Sequence, residues 1–358
     1  MTQNLSDLVI NSSYGAYTIT FQSIDIEQNL NSFFLVDQRL KELSGLNKNN
    51  CVFISAEEVN KNLRLVEDVM IQLSAKGMTK ESELVVIGGG FLQDIGTLVA
   101  SLYMRGVNWS YVPTTLAAMG DSCIGGKSSI NAGNVKNLVG NFYPPRTVII
   151  DPSFVSTLPE LEILAGISEI TKICFAYSHK SFIESTRLIS SWRMNQDMDS
   201  LTPLIQLSLR CKKYFIEEDE FDKGIRKLLN FGHSFGHALE TASNYKIPHG
   251  VAVLIGMIAA SQHPKSIPSV ERKLLIENCL FFSRMIDGAV IAEITNVDLK
   301  EFSQALERDK KNSSSNLVLI LPLFSGLGLV EIPFIENAIE GATRAVKVAI
   351  GMVLNELR

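Results

Sequence analysis

The chain has 358 residues, of which 46% are hydrophobic and 20% charged, a balance that predicts a folded protein with room for two domains and excludes a disordered one. Its 38 acidic and 33 basic residues leave a net charge of −5, which excludes the broad positive surface that binding to a nucleic acid backbone requires. We therefore expect a small-molecule partner and no nucleic acid.

The sequence carries no pattern of a membrane or secreted protein. Its longest apolar stretches, such as residues 251–260, fall short of the roughly 20 residues of a membrane helix. Residues 1–7 show neither a basic start nor an apolar stretch. The five cysteines are scattered without a C-x-x-C pair, which indicates reduced thiols and no zinc knuckle. We expect a cytoplasmic protein.

Strand-like runs dominate the first part of the chain. Apolar residues also recur there every three to four positions over residues 61–75 and 91–103, which predicts two helices among the strands. Strands that alternate with helices indicate a mainly parallel sheet. The predicted strands cover residues 17–21, 32–36, 51–54, 83–87, 109–112 and 147–150.

The pattern becomes helical after Asp151 and Pro152. We place a domain boundary at this change, which predicts an α/β domain over residues 1–152 and a helical domain over residues 153–358. The predicted helices cover residues 161–177, 201–217, 227–243, 250–261 and 335–357, with one late strand at residues 317–321.

A turn of three glycines, Gly88, Gly89 and Gly90, joins a buried strand to a helix. Such a turn lets backbone N–H groups approach a phosphate, and the helix N-terminus adds partial positive charge. Tight glycine turns also serve packing, so the turn alone leaves both interpretations open. Thr114 and Thr115 follow the next strand and bring hydroxyl donors to the same sheet edge, unless they only cap a helix.

A polar, glycine-rich stretch follows between residues 120 and 140. Lys127 comes after two glycines, but the spacing is not that of a nucleotide triphosphate loop, so we reject ATPase chemistry. The polar side chains of this stretch suit an anionic polyol substrate, and a solvated loop is the alternative. They are Asp121, Lys127, Asn131, Lys136 and Asn137.

Three of the five histidines lie between residues 233 and 249. The i, i+4 spacing of His233 and His237 places both imidazoles on one helix face, as in helical zinc sites, and His249 follows closely. Upstream, Glu169 and Lys172 form an acid–base pair in an otherwise apolar helix. Two histidines and a carboxylate around an open position are typical of a catalytic metal site, and satisfied core histidines are the alternative.

Runs of basic residues near and beyond the histidines are further candidates for substrate binding. Each run alone is typical of a solvated face, whereas together they suit an anion pocket. The runs contain Arg210, Lys212, Lys223, Arg226, Arg308, Lys310 and Lys311.

In combination, order and spacing these motifs resemble the 3-dehydroquinate synthases of the sugar phosphate cyclase family, over about residues 50–312. The resemblance implies an N-terminal Rossmann-like α/β domain that binds NAD, an all-α metal-binding C-terminal domain, and a homodimer. It also implies a reaction on an anionic sugar phosphate. NAD transiently oxidises a hydroxyl, phosphate is eliminated, the ketone is reduced back, and the opened ring recloses by an intramolecular aldol step.

The resemblance also implies roles for single residues. Glu169, His233 and His249 become the ligands of a divalent metal, zinc or cobalt, in place of the His233–His237 pair that spacing alone predicts. The implied catalytic residues are His237, Asn230, Lys172, Lys127, Asp121, Lys212, Arg226 and Asp222. The implied phosphate ligands are Arg105, Asn137, Lys136, and Lys310 or Lys311. The implied NAD ligands are Asp37, Glu58, Lys61, Gly88, Gly89, Gly90, Asp94, Thr114, Thr115, Asp121, Lys127 and Lys136.

Some residues depart from the family pattern and leave the substrate open. Another cyclase, of the sedoheptulose 7-phosphate or glucose 6-phosphate type, is the main alternative. A metal-dependent polyol dehydrogenase and a cofactor-binding regulator without catalysis are weaker ones. Asn230, His237 and residues 309–311 favour the 3-dehydroquinate synthase substrate. The departures are Arg39 for Asn, Asp222 for Glu, Val251 for Glu, and the pair Pro144 and Pro145.

Overall fold

The computed structural model describes residues 7–24, 32–43, 46, 48–133, 135–195, 198–309, 312–324 and 326–357. The chain forms two compact units. The first comprises Met1–Leu158 together with Lys213–Phe221, and the second comprises Pro159–Lys212 together with Asp222–Arg358. The predicted boundary after residue 152 lies within a short 3₁₀ helix, Pro152–Thr157.

The first unit is built on a seven-stranded sheet of order β1-β2-β9-β6-β5-β3-β4. Only β1 runs antiparallel to its neighbour, and the other pairs are parallel, as predicted. A separate hairpin joins β7 and β8. The strands are β1 Leu8–Ile10, β2 Tyr17–Phe21, β3 Ser32–Asp37, β4 Cys51–Ile54, β5 Glu83–Gly88, β6 Asn108–Pro113, β7 Ile130–Ala132, β8 Val135–Val139 and β9 Thr147–Ile150.

Two helices, α1 Leu63–Ala75 and α2 Gly90–Leu102, connect the central strands. The Asn62 side chain caps α1 by accepting a hydrogen bond from the Leu65 backbone N–H at 3.2 Å. The β3 strand is buried at every position, which explains its unbroken apolar sequence. These elements confirm the six strands and two helices predicted for this part of the chain.

The second unit is mainly helical. It also contains a hairpin of β10 Asn316–Leu323 and β11 Gly326–Pro333, so its expected all-α composition holds except for this hairpin. The late strand was predicted, but its partner β11 was not. The helices are α3 Glu160–Tyr177, α4 His179–Asn195, α5 Met198–Glu218, α6 His233–Ala242, α7 His249–Gln262, α8 Val270–Ser283, α9 Gly288–Thr295, α10 Leu299–Glu307 and α11 Ala338–Glu356.

Helix α7 forms the centre of the second unit, because residues 250–261 are all buried. It packs closely on α6: a Cβ atom at Gly256 would lie 2.1 Å from the Gly232 carbonyl oxygen. The continuous helix predicted over residues 227–243 is wrong. A 3₁₀ helix, Ile225–Asn230, ends before Gly232, which has a left-handed φ of +77°, and α6 then begins at His233.

Within the described ranges, none of the helices has the length and apolar composition needed to cross a membrane.

Candidate functional site

The carboxyl ends of the parallel strands in the first unit bring candidate cofactor residues to one edge of the sheet. The register pairs Gly88 with Pro113, and Asp37 with Ile54. The Thr114 N–H donates to the Gly88 carbonyl oxygen at 3.0 Å. Open α/β sheets bind their ligands at this edge.

The glycine turn at this edge serves packing as well as backbone access. A Cβ atom at Gly88 would lie 2.5 Å from Leu92 Cγ, and one at Gly89 would lie 3.0 Å from Thr115 Cγ2. Gly90, the first residue of α2, has more room, since its nearest neighbour would be Ser122 Oγ at 3.7 Å. Close packing therefore explains why two of the three positions, Gly88 and Gly89, are glycine. The N-terminus of α2 beside them can still bind an anion.

Two of the predicted NAD ligands form an ion pair. Lys61 Nζ lies 2.6 Å from Asp94 Oδ2, and the Ser129 N–H donates to Asp94 Oδ1 at 2.8 Å. Burial raises the pKa of Asp94 above its usual value, and the Lys61 ammonium and the Ser129 N–H only partly offset this. The Asn131 N–H donates to the Lys61 carbonyl oxygen, so the pair also holds the start of β7 in place.

Glu58 and Lys136 lie beside this ion pair. Lys136 Nζ is 3.8 Å from Glu58 Oε1, and Asn131 Nδ2 donates to the same oxygen at 3.0 Å. A groove of about 520 Å³ opens next to them. It is lined by Val59, Asn62, Leu63, Arg64, Asn131, Ala132 and Gly133.

Asp37, at the end of β3, is buried and contacts Arg39. The carboxylate accepts hydrogen bonds from the Arg39 backbone N–H at 2.9 Å and from its guanidinium at 2.6 and 3.0 Å. Arg39, one of the departures from the family pattern, therefore holds the carboxylate that was predicted to contact NAD.

The remaining candidates of the first unit are spread over loops. Asp121 is partly buried in a π-helical turn, Ala118–Ser122, and Lys127 is exposed with its ammonium 6.0 Å from the centre of the Phe142 ring. Asn137 has a left-handed φ of +52°, and its N–H donates to Asn131 Oδ1 at 3.0 Å.

Arg105, one of the predicted phosphate ligands, lies at the far end of α2 from the glycine turn. It follows the C-terminus of α2, and a helix of 13 residues places it about 20 Å from Gly90. Its own φ of +65° follows a φ of +46° at Met104, so the exposed turn is left-handed over both residues. Lys310 and Lys311 lie outside the described residues.

In the second unit, three predicted ligands from three helices meet. Glu169 comes from α3, His233 begins α6 and His249 begins α7. Glu169 Oε1 lies 3.7 Å from His233 Nε2 and 3.3 Å from His249 Nε2. One ligand atom from each residue lies within 4.8 Å of the others.

This donor set fits a divalent metal ion. Ligand atoms about 2.0–2.1 Å from a zinc ion at tetrahedral angles lie about 3.4 Å apart, close to the separations observed here. The His233 Nδ1 lies 3.3 Å from the Phe231 carbonyl oxygen, a contact that leaves its Nε2 lone pair for a metal. Two imidazoles and a carboxylate suit zinc and cobalt alike.

Lys172 occupies the other oxygen of Glu169, since its ammonium donates to Oε2. The Lys172 and Glu169 side chains are only 4% and 6% exposed. Burial alone would raise the pKa of Glu169, but Lys172 and His249 lower it well below its usual range. The carboxylate therefore stays ionised and presents Oε1 to the two histidines.

His237 lies one turn along α6 from His233. Its ring centre is 5.3 Å from that of His233 and 5.8 Å from that of His249, on which it stacks at 26°. Asn230 is partly buried and donates from Nδ2 to the Lys227 carbonyl oxygen at 3.1 Å. The structure thus brings the proposed acid–base His237 to the three-ligand set.

Glu240 was not among the predicted site residues. Its Oε2 lies 3.0 Å from His249 Nδ1. Desolvation alone would lower the pKa of His249, but the Glu169 and Glu240 carboxylates raise it to about 10. His237, Glu240 and His249 also form a second group with metal-ligand spacing. The i, i+3 spacing of His237 and Glu240 on α6 was the available signal.

The remaining candidates of the second unit belong to α5 and to the segment before α6. Lys212 is buried on α5, and Arg226 is buried in the 3₁₀ helix Ile225–Asn230. Asp222 is partly buried with a left-handed φ of +59°. Their roles stay predictions.

Known proteins resemble this chain over most of its length. A family model described as 3-dehydroquinate synthase N-terminal matches residues 51–165, and one described as 3-dehydroquinate synthase C-terminal matches residues 166–312. A 3-dehydroquinate synthase of Dictyoglomus thermophilum is 37% identical over 308 residues, which cover 85% of this chain and 83% of that protein. One from Campylobacter jejuni is 36% identical over 296 residues, covering 80% and 84%.

Several solved structures share the fold, two synthases among them. A 2-deoxy-scyllo-inosose synthase complexed with carbaglucose-6-phosphate, NAD⁺ and Co²⁺ has a TM-score of 0.78 at 20% identity, covering 96% of this chain and 99% of that one. A 2-epi-5-epi-valiolone synthase from Streptomyces hygroscopicus with NAD⁺ and Zn²⁺ bound has a TM-score of 0.72 at 23% identity, covering 95% and 97%.

The chain has the fold of the sugar phosphate cyclases, with a parallel α/β unit and a helical unit that carries the Glu169, His233 and His249 donor set. The chain belongs to the 3-dehydroquinate synthase family, and it is an enzyme of the lyase-type cyclases.

Proposed function

We propose that the chain is a 3-dehydroquinate synthase, which converts 3-deoxy-D-arabino-heptulosonate 7-phosphate to 3-dehydroquinate and phosphate in the biosynthesis of aromatic compounds. A hydride leaves the carbon that bears the oxidised hydroxyl and later returns to it. The adjacent carbon loses a proton, a C=C bond forms, and the C–O bond to the phosphate breaks with its electron pair on the phosphate. One C–C bond forms when the opened ring closes. One phosphate is released per turnover, and NAD is unchanged.

The observation that carries this proposal is the meeting of Glu169, His233 and His249 in a chain of this family. When bound, NAD⁺ supplies a hydride acceptor, and a divalent ion supplies a Lewis acid at the hydroxyl that is oxidised. Glu169, His233 and His249 would hold that ion. The protein's task is then to orient the sugar and to move its protons.

Residues around this set would perform those tasks. His237 stacks on His249, so an imidazole that exchanges protons lies beside the metal ligands. The Lys172 ammonium, held by Glu169, supplies a fixed positive charge for the anionic substrate. Asn230, Lys212, Arg226, Asp222, Asp121 and Lys127 are proposed to contact the sugar.

In the first unit, the sheet edge at Asp37, the glycine turn and Thr114 would hold NAD. The start of α2 is suited to the pyrophosphate, because its backbone N–H groups have no partners within the helix. The Lys61–Asp94 pair and Glu58 would contact the rest of the cofactor. Phosphate ligands are proposed among Arg105, Lys136, Asn137, Lys310 and Lys311.

A second candidate is a cyclase that acts on another sugar phosphate. The departures from the family pattern at Val251 and Pro144 favour this candidate, and so does the fold shared with the two synthase structures described above. Val251 is fully buried in α7, however, so an apolar residue there satisfies the core. The Pro144 carbonyl oxygen accepts from Trp109 Nε1 at 3.1 Å, but any residue at this position offers that backbone oxygen, so the bond does not explain the proline.

A substrate panel with phosphate detection tests the proposal. The purified protein, with NAD and zinc, is mixed separately with the heptulosonate 7-phosphate, sedoheptulose 7-phosphate, glucose 6-phosphate and a simple polyol. We expect phosphate release from the heptulosonate alone, with no lasting rise in absorbance at the NADH wavelength. Phosphate release from another sugar only would replace the proposal with the second candidate, and steady NADH accumulation with a simple polyol would indicate a dehydrogenase.

We also propose that the chain is a homodimer, as the resemblance implies. Light scattering on the eluting protein checks this, and a monomeric mass at assay concentration would contradict it.

A further inference from the structure

Glu240 and His249 make a contact that the proposed reaction does not itself require. Glu240 lies in the last turn of α6, and His249 begins α7. Their side chains meet at 3.0 Å between Oε2 and Nδ1. The Glu240 side chain is 13% exposed, whereas that of His249 is 46% exposed. A half-exposed histidine is thus held by a nearly buried carboxylate.

This contact decides which nitrogen of His249 faces the ligand set. A carboxylate accepts hydrogen bonds, so the Nδ1–H of His249 donates to Glu240. Nε2 is then the nitrogen that faces Glu169 Oε1, 3.3 Å away, and its lone pair serves a metal ion once the ion replaces the Nε2 proton. Without Glu240, the imidazole could rotate or take the other tautomer, since nearly half of its surface faces solvent.

His233 shows the same arrangement with a different partner. Its Nδ1 contacts the backbone carbonyl oxygen of Phe231, which no side-chain substitution removes. The partner of His249 Nδ1, by contrast, is a side chain that a substitution can remove. Carboxylates that hold metal-ligating histidines in this way raise metal affinity.

We propose that Glu240 is a positioning residue of the metal centre, which fixes the ring orientation and the tautomer of His249. This inference rests on the metal dependence in the proposed function. This role depends on the length of the Glu240 side chain and on the oxygen with which it accepts a hydrogen bond. It also assigns the His237, Glu240 and His249 group to positioning and not to a second cation.

The test measures Zn²⁺ and Co²⁺ affinity of the full-length protein without substrate, by competition with a coloured chelator. Glu240→Ala is expected to weaken affinity about 10- to 100-fold. Glu240→Gln keeps the reach and an acceptor oxygen and should stay within about fivefold of wild type, whereas Glu240→Asp keeps the charge but loses the reach and should resemble Glu240→Ala. Glu293→Ala, which removes an exposed partner of Lys246, is the matched control and should leave affinity unchanged.

The visible spectrum of bound Co²⁺ adds a readout of ligand geometry. We expect it to change in the Ala and Asp variants and to be kept in the Gln variant. Wild-type affinity in Glu240→Ala, or an Asp variant that binds normally while Gln does not, would overturn the proposal. Two ions per wild-type chain, one of them lost in Glu240→Ala, would assign Glu240 to a second cation site instead.

The affinity measurement also separates this inference from the proposed function. A protein that acts on a different sugar phosphate would still lose metal affinity in Glu240→Ala, and the inference would stand. A wild-type protein that binds neither ion would refute both. Should Glu240→Ala fail to fold, as judged by circular dichroism, the contrast between the Gln and Asp variants still decides.

Discussion

Glu169 is the residue on which the helical site depends most. It is buried on α3, and its two oxygens have different partners: Lys172 contacts Oε2, and the two histidines face Oε1. An ionised carboxylate in such a position needs compensating positive charge, because burial disfavours the charged form. The same arrangement that keeps Glu169 ionised leaves one oxygen for a metal.

The buried ion pair predicts a specific stability effect. Glu169→Leu leaves the Lys172 ammonium buried without this partner and should lower the free energy of unfolding by about 3–5 kcal/mol, whereas the double variant Glu169→Leu with Lys172→Met should recover most of that loss. Urea denaturation of the metal-free protein measures both. The control Glu162→Leu, on the exposed first turn of α3, should change the value by less than about 0.5 kcal/mol. Equal losses in the single and double variants would contradict the pair's role.

The sequence was sufficient to propose the ligand types but not their geometry. Spacing along one helix relates His233 to His237, and the rings do lie 5.3 Å apart. Spacing cannot show which residues approach from other helices, and Glu169 reaches His233 because α3 and α6 both pack against α7. Glu240 was missed for the same reason, since its partner His249 lies beyond a turn on the next helix.

At the scale of elements, the break before α6 sets the position of His233. Gly232 has a φ of +77°, and a Cβ atom there would lie 2.9 Å from the Met257 backbone nitrogen and 3.0 Å from the Val253 carbonyl oxygen. Only glycine combines that φ with so close an approach to α7. The break therefore starts α6 at the first metal-ligand candidate.

Gly232→Ala is accordingly expected to be costly. The left-handed φ and the clash with α7 should together lower the free energy of unfolding by about 2–4 kcal/mol. Gly351→Ala is the control, because a Cβ there meets nothing within 4 Å on α11 and should stabilise the protein by about 0.5–1 kcal/mol. Denaturation curves compare the two, and similar small changes in both would contradict this explanation of the break.

The end of α7 holds a buried histidine that predicts a pH effect. His263 Nδ1 accepts from the Lys265 N–H at 3.2 Å, and its Nε2 is buried without a hydrogen-bond partner. Desolvation, together with the Lys265 charge, lowers the pKa of His263 to about 4. Because the unfolded chain takes up this proton near pH 6.5 and the folded chain does not, stability is lost as the pH falls from about 6.5 to 4.

We expect His263 to account for about 2 kcal/mol of the stability that the protein loses between pH 7 and pH 5. His263→Leu should remove that share of the loss, and His179→Gln, at an exposed position on α4, should not. Unfolding by urea at the two pH values provides the comparison. Parallel losses in wild type and His263→Leu would show that His263 takes up its proton in the folded state.

The elements themselves were predicted where burial left a clear pattern. The β5 strand reads as a continuous apolar run because its residues from Leu84 onward are buried. The β8 strand was missed because it lies at the surface, where Val135 and Leu138 are exposed and lysine and asparagine interrupt the pattern. The prediction of one helix over residues 227–243 was wrong because the apolar periodicity of the sequence continues through Gly232, whereas the helical backbone is interrupted there.

At the scale of the whole molecule, composition and the change of pattern near residue 152 were enough to predict an α/β part and a helical part. The sequence could not predict that residues 213–221 belong to the first unit. This division falls within one unbroken helix, α5, and depends on its tertiary contacts. Each unit carries its own set of candidate ligands, one at the edge of a parallel sheet and one among three helices.

Both the proposed function and the role of Glu240 require that the helical unit holds one divalent metal ion. Crystals of the zinc-loaded protein, measured on both sides of the zinc absorption edge, test it most directly. We predict one anomalous peak per chain, about 2.0–2.2 Å from Glu169 Oε1, His233 Nε2 and His249 Nε2. A loaded crystal with no peak among these atoms, or with its peak between His237 and Glu240, would contradict the account.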